Sequence, residues 1–266
     1  MDKERLHEED LQRIRGFRLI DDDFMNACFD DNIEGTELLL RIILNKPDIK
    51  VTRVKTQKVL KNLAGRDIWL DIDANDADGV EYDIEIQRAD KGTNPKRARY
   101  HSSIMDAHLL TPREDFNKLP ETYVIFITET DVLKDDLPIY IIERQIINTG
   151  KPFGDGEHII YVNGECKNNL TELGKLMHDF FCVDPDDMHY QKLAEKVRYF
   201  KQNEKGVAAM CKVMEDMRNE TIERERIEIA MDMIREGELP LEKIAKYSKL
   251  SLETVKELAL QPAAAL

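Results

Sequence analysis

The stretch WLDIDANDADGVEYDIEIQR, residues 69–88, decides how the fold is predicted. Apolar residues alternate with acidic ones on both sides of an Asp-Gly dipeptide, which is typical of two antiparallel strands joined as a hairpin. We therefore predict strands over about residues 68–74 and 80–88. Such a hairpin would gather carboxylates from both arms on one surface, where their repulsion favours a bound divalent cation.

The second strand carries the residues that a metal site requires. Glu85 and Gln87 are two residues apart, so both project from the same face of the strand, as does Asp83. Whether Asp71 joins them depends on the turn. An odd loop centred on Ala77 would place Asp71 opposite Asp83 and diagonal to Glu85, whereas an even loop would turn Asp71 to the other face.

Positive charge follows the hairpin directly. Acidic residues that bind a metal, next to basic residues that bind phosphate, form the arrangement that a nuclease needs. The candidates for contact with nucleic acid are Arg88, Lys96, Arg97, Arg99 and His101. The alternative for the two arginines of the predicted helix is an ordinary charged helix face.

Composition limits the class of protein. Among 266 residues, 42% are hydrophobic and 35% are charged, which is typical of a soluble, folded protein. We expect no membrane span, no secretory segment and a cytoplasmic location. The net charge of −14 argues against indiscriminate binding of polyanions but permits a local basic face. Four scattered cysteines form no CxxC pair and predict reduced thiols.

The remaining pattern predicts an α/β protein in which helices flank a mixed central sheet and a helical tail follows. Three nearly continuous apolar runs favour strands that are covered on both faces. These strands are expected over about residues 122–128, 138–143 and 158–162. Helices are expected over about residues 35–44, 96–110, 171–181, 189–203, 205–236, 240–247 and 251–259.

Several motifs resemble a known family. Asp71 with Glu85-Ile86-Gln87 resembles the PD-(D/E)XK nuclease signature, with Gln where Lys is usual. The strings WLDIDANDADG, YDIEIQR, KRARYHS and GKPFGDG are similar to the PD-(D/E)XK family transposases, also called recombination-promoting nucleases. The similarity covers about residues 18–235. It implies a restriction-endonuclease-like sheet.

The resemblance also implies roles. Asp71 and Glu85 would ligate Mg²⁺, for which Mn²⁺ can substitute, and Gln87 would position the attacking water or a phosphate oxygen. A helix upstream often adds a Glu, and Glu37 is the candidate. Because Gln cannot supply the positive charge of Lys, we expect stronger metal dependence or compensation by Arg88.

We predict three segments: a nuclease-like core over residues 1–165 with about 15 loosely attached N-terminal residues, a helical extension over 166–236, and a helix-turn-helix-like tail over 237–266. In the tail, Ile244 and Ala245 are expected to pack on Val255. The last helix carries more acidic than basic residues, which favours packing or homodimerisation over reading of DNA.

The function predicted from sequence is metal-dependent hydrolysis of DNA by an endonuclease. Three alternatives remain open at this point. The chain could be a nuclease fold that binds nucleic acid with little or no turnover, or a protein-interaction module built on the acidic helices over residues 189–236. An acidic hairpin is also often only a solvated surface.

Overall fold

The computed structural model describes residues 3–62, 65–88 and 93–260. Within them the chain forms two compact units, one ending at Met210 and the other beginning at Cys211. The helices are α1 Lys3–Gly16, α2 Asp22–Phe29, α3 Ile33–Leu44, α4 Pro95–Leu109, α5 Glu172–Phe181, α6 Gln191–Gln202, α7 Glu204–Glu236, α8 Leu241–Ser248 and α9 Leu252–Leu260. The strands are β1 Val51–Leu60, β2 Ile68–Asp76, β3 Glu81–Gln87, β4 Thr122–Thr128, β5 Ile139–Ile142, β6 Gln145–Ile146, β7 Lys151–Pro152 and β8 Glu157–Asn163.

A mixed sheet organises the first unit. Its strand order is β1-β2-β3-β4-β8-β5, and β6 pairs separately with β7. β1, β2 and β3 are antiparallel neighbours, β3, β4 and β8 run parallel, and β5 returns antiparallel to β8. The predicted fold class, a mixed sheet with flanking helices and a helical C-terminal stretch, is confirmed. Among the described helices, none has both the length and the apolar composition that crossing a bilayer requires.

The hairpin turn fixes the register of β2 on β3. The carboxylate of Asp76 accepts hydrogen bonds from the backbone N–H groups of Asp78 and Val80, both at 3.0 Å. Gly79 has a φ of 84°, a conformation that glycine adopts at little cost. The loop is odd, as the metal-site hypothesis requires, but it is centred on Asp78 rather than on the predicted Ala77.

That shift of one position in the loop moves the register by two. Asp73 lies opposite Asp83, and the same register places Asp71 opposite Glu85. The expected pairing of Asp71 with Asp83 is therefore wrong, although both residues still come from the predicted arms. The reason is local, because the Asp76 side chain caps a three-residue turn that the Asp-Gly dipeptide alone does not specify.

One face of the sheet is covered by α4. Ala98, Ile104 and Met105 of this helix share an apolar cluster with Val124 and Phe126 of β4, and all five are buried. The Asn94 side chain caps the helix by accepting from the Lys96 N–H at 2.8 Å, and Pro95 occupies the first helical turn. This packing holds the first turns of α4 beside the end of β3.

The second unit has its own apolar cluster. Ala230, Ile244, Ala245 and Val255 are buried in it, which confirms the predicted packing of α8 on α9. Lys249 links the two helices with a φ of 61°. The division of the chain near residues 165 and 236 stays a prediction.

Candidate active site

Two acidic side chains bridge β2 and β3 where the regular pairing stops. The ladder between these strands ends at Ile72 and Ile84. Beyond it, the Asp71 N–H donates to Glu85 Oε1 at 3.2 Å, and the Ile86 N–H donates to Asp71 Oδ2 at 2.9 Å. Each carboxylate thus replaces a backbone partner of the missing ladder. This exchange fixes both side chains and points them toward each other.

A second layer of contacts surrounds Glu85. Its Oε2 accepts from Arg97 Nη2 at 2.6 Å, and Asp83 Oδ2 accepts from His101 Nδ1 at 2.8 Å. Arg97 Nε also donates to His101 Nε2 at 3.2 Å. Asp83 and Glu85 are both fully buried, with 0% relative exposure. The first turns of α4 therefore close over an acidic cluster that we define as Asp71, Asp83 and Glu85.

Burial controls protonation in this acidic cluster. It raises the pKa of Asp71 to about 6. Burial raises the pKa of Glu85 and that of Asp83 well above their ordinary values, and the neighbouring carboxylates add to both shifts. Burial also lowers the pKa of His101. Because His101 Nδ1 donates and Nε2 accepts, its hydrogen bonds fit a neutral imidazole. Without a cation the raised pKa values favour protonation of the cluster, and among the described residues Arg97 is the guanidinium that contacts Glu85 directly.

A further acidic residue lies close to the cluster and was missed from sequence. The charge of Asp22, in the first turn of α2, contributes to the raised pKa of Asp71, and burial raises the pKa of Asp22 itself. Arg88 Nη1 lies 3.1 Å from Asp21 Oδ1, and Arg88 Nε lies 3.7 Å from Glu129 Oε2. The sequence signal for Asp22 is its position at the start of a short apolar helix, of which Phe24, Met25, Cys28 and Phe29 are buried in the structure.

The structure does not bring Glu37 to the cluster. The Glu37 carboxylate pairs with Arg41 at 2.6 Å and accepts from the Val51 N–H at 3.1 Å. Val51 lies opposite Asp76, five residues along β2 from Asp71. That separation is about 17 Å along a strand. The helical acidic residue close to Asp71 is therefore the one in α2, and the predicted role of Glu37 has no geometric support.

Arg97, rather than Arg88, brings positive charge to Gln87. Arg97 Nη1 donates to Gln87 Oε1 at 3.3 Å, and the same guanidinium holds Glu85. Arg88 instead faces its two acidic partners. The expected compensation by Arg88 for the missing Lys is therefore not what the structure forms. In the sequence the basic start of α4 follows β3 closely. Only the packed structure shows which of these basic residues reaches Gln87.

An open groove of about 1140 Å³ lies beside the cluster. We call it the α4 groove. Its described lining residues are Asn62, Gly65, Arg66, Asp67, Ile68, Trp69, Asn94, Lys96, Arg97, Arg99, Tyr100 and His101. Lys96 and Arg99 are exposed there, whereas His101 is buried and turned to the cluster. Of the predicted DNA-contacting residues, four line this groove and Arg88 does not.

The raised pKa of Asp71 predicts how the stability of the metal-free protein varies with pH. A carboxyl whose pKa is raised by folding is stabilised by protonation, so stability is lost as pH rises from about 4 to about 6. Asp71→Asn removes the charge but keeps an acceptor for the Ile86 N–H. In EDTA we expect the variant to exceed wild type by about 3 kcal/mol above pH 7. Denaturant titrations from pH 4 to 8 measure this difference, and a constant difference would contradict the assignment.

A second group of metal-capable side chains exists but is built differently. His178, Asp179 and His189 bring their ligand atoms within 4.8 Å of one another. Asp179 is buried, and its two oxygens accept from the His189 and Tyr190 N–H groups, each at 2.8 Å. The carboxylate therefore anchors the chain that precedes α6. The acidic cluster, in contrast, holds buried carboxylates that repel one another.

Comparison with known proteins gives one result. A family model described as PD-(D/E)XK nuclease family transposase matches residues 36–238. The matched span contains the acidic cluster and α4, and excludes Asp22. No curated protein and no solved structure matches the chain.

Proposed function

The chain belongs to the PD-(D/E)XK nuclease family transposases, as the sequence motifs predicted, and from this premise we propose that it hydrolyses phosphodiester bonds of DNA with a divalent metal. The observation that carries the proposal is the acidic cluster, in which Asp71 and Glu85 are oriented by each other's strands. A site built only for stability would not bury several carboxylates around one guanidinium. The cluster is therefore best explained by a cation that it holds in the working enzyme.

The residues present fit a hard divalent ion. Asp83 Oδ1 is buried and has no hydrogen-bond partner among the described residues. The hydrogen bond from the Ile86 N–H occupies Oδ2 of Asp71 and not Oδ1. Carboxylate oxygens are the ligands that Mg²⁺ prefers. We propose that Asp71 and Glu85 hold Mg²⁺ or Mn²⁺, with Asp83 close enough to add negative charge.

The chain's own residues would do the rest of the work. A bound divalent ion supplies an activated water and polarises the scissile phosphate. We propose that Gln87 positions that water or a phosphate oxygen by hydrogen bonding. Arg97 supplies the positive charge that Lys gives in the usual motif, and it can stabilise charge that develops on the phosphate. His101, neutral and bonded to Asp83, holds Arg97 in place.

The α4 groove is the proposed path of the DNA backbone. The first turns of a helix favour anions, so cations there are locally unfavourable unless an anion binds. α4 nevertheless begins with Lys96, Arg97 and Arg99 and has no acidic residue in its first turn. In a chain of net charge −14, this local excess of positive charge supports a phosphate-binding role.

Salt dependence tests the proposed path. Lys96→Ala and Arg99→Ala should each lower the slope of log affinity against log salt by about one, because each removes one phosphate contact. Arg88→Ala should change the slope less, since Arg88 is held by two carboxylates. Fluorescence anisotropy with a labelled DNA fragment in EDTA, at several salt concentrations, gives these slopes. If all three variants gave equal slopes, the DNA backbone would not follow the α4 groove.

A supercoiled-plasmid assay tests the function itself. Purified protein should convert the plasmid to nicked or linear forms with Mg²⁺ or Mn²⁺ and leave it intact in EDTA. If no form of DNA is cut and calorimetry detects no metal binding, the proposal fails. DNA binding that persists in EDTA without cleavage would favour the non-catalytic alternative. Homodimerisation through the C-terminal helices stays a prediction.

A further inference from the structure

The chain has a single tryptophan, and the structure exposes it. Trp69 keeps 57% of its surface accessible, although an indole gains much free energy when it is buried. It lies two residues before Asp71 and lines the α4 groove. An exposed aromatic ring beside a catalytic cluster has no role in the packing of the core. It is therefore a candidate for contact with substrate.

The surroundings of Trp69 are positively charged. Arg66, Lys96 and Arg99 line the groove with it and are exposed, and none of the three forms an ion pair with a described carboxylate. The acidic residue of the lining, Asp67, is already neutralised by Lys61 at 2.7 Å. Free cations around an aromatic ring are the combination that proteins use to bind single-stranded nucleic acid.

Tyr100 stabilises this side of the groove. Its hydroxyl accepts from Asn62 Nδ2 at 3.0 Å and donates to the backbone carbonyl of Arg66 at 2.6 Å. These bonds tie α4 to the segment that leads into β2. The cations of α4 and the indole of Trp69 are thereby held on one scaffold, rather than on independent loops.

We infer that the α4 groove binds DNA with unpaired nucleotides and stacks one unpaired base on Trp69. The inference rests on the proposed function and names its substrate class. In an intact duplex each base is stacked on its neighbours and only its edges reach the grooves, so its face is not accessible to an indole. A flap, gap, hairpin loop or single strand presents that face. Such DNA is the preferred substrate of the site.

Intrinsic fluorescence tests the inference directly, because every tryptophan signal comes from Trp69. In EDTA, a single-stranded oligonucleotide should quench the emission and bind more tightly than the duplex of the same sequence. Trp69→Ala should weaken binding of the labelled single strand about 5-fold to 150-fold, whereas Trp69→Phe should retain most of the affinity. Phe116→Ala is the matched control, since Phe116 is 84% exposed and lies outside the groove lining.

The outcomes separate the inference from the function. Unchanged emission on binding, or wild-type affinity in Trp69→Ala, would overturn the inference, as would tighter binding of duplex or of an RNA strand of the same sequence. If plasmid cleavage with Mg²⁺ persists in those cases, the proposed function stands. Melting curves check that the variants fold, and weak binding by Trp69→Ala with recovery in Trp69→Phe would support stacking.

Discussion

Asp71→Asn is expected to reduce DNA cleavage by about 10³-fold or more. The substitution keeps the size of the side chain and an acceptor for the Ile86 N–H. The side-chain bridge between β2 and β3 should therefore be retained. It removes one of the two carboxylates proposed to hold the metal. Glu85→Gln should have a similar effect, because Gln retains an acceptor for Arg97 but loses the charge. Initial rates of plasmid nicking at saturating Mg²⁺ measure both losses.

The matched control is Asp78→Asn, on the exposed tip of the same hairpin. Asp78 donates its backbone N–H to Asp76 and its side chain has no role in the proposed site. This variant should cleave at the wild-type rate. Near-wild-type cleavage by Asp71→Asn would show that the acidic cluster is not catalytic. Loss of activity in Asp78→Asn as well would indicate damage to the hairpin rather than loss of a ligand.

The hairpin and its acidic face could be predicted because they depend on local periodicity. Alternation of two residues places Asp83, Glu85 and Gln87 on one face whatever the rest of the fold does. The strand bounds over residues 68–76 and 81–87 lie close to the predicted ones. The register could not be predicted to better than two residues, because it depends on which side chain caps the turn. Asp76 does so here.

The partners from distant segments could not be predicted in the same way. Glu37 was expected at the cluster because it lies on an upstream helix, but its contact with Arg41 and Val51 holds it elsewhere. Asp22 comes close to Asp71 instead, from a helix that periodicity did not separate from the N-terminal segment. Likewise Arg97 approaches Gln87 only because α4 packs across β4. These contacts between distant segments depend on tertiary packing, which the spacing of residues along the chain does not encode.

β1 was missed for a related reason. Its outward residues are mainly basic and polar, as is common on an edge strand, and the apolar alternation is interrupted. The pairing with β2 shifts between Val51 and Arg53, and Gln57 has a φ of 54°. By the register of the neighbouring pairs, Gln57 lies opposite Asp71. β1 therefore departs from regular geometry opposite Asp71, where the regular pairing of β2 with β3 also stops.

Mg²⁺ or Mn²⁺ is expected to stabilise the protein and to reverse its stability order with Asp71→Asn. Without metal, wild type keeps several buried carboxylates that repel one another, so the variant should unfold at the higher temperature. Above pH 7, where the variant leads by about 3 kcal/mol, metal at one thousand times Kd should add about 4.1 kcal/mol to wild type, which is about 8 to 16 °C in melting temperature. The variant should show little or no shift.

Differential scanning calorimetry in EDTA and across a metal titration measures both orders, with Asp78→Asn as a control that should follow wild type. The reversal is more specific than a loss of activity. A variant that damaged packing would be less stable under both conditions, and a solvated acidic surface would give no metal-dependent shift in either protein. The order of the two melting temperatures reverses only if the carboxylates repel one another without metal and if the metal that relieves this repulsion binds through Asp71. Curves that keep the same order with and without metal would therefore contradict the metal site even if the enzyme cleaved DNA.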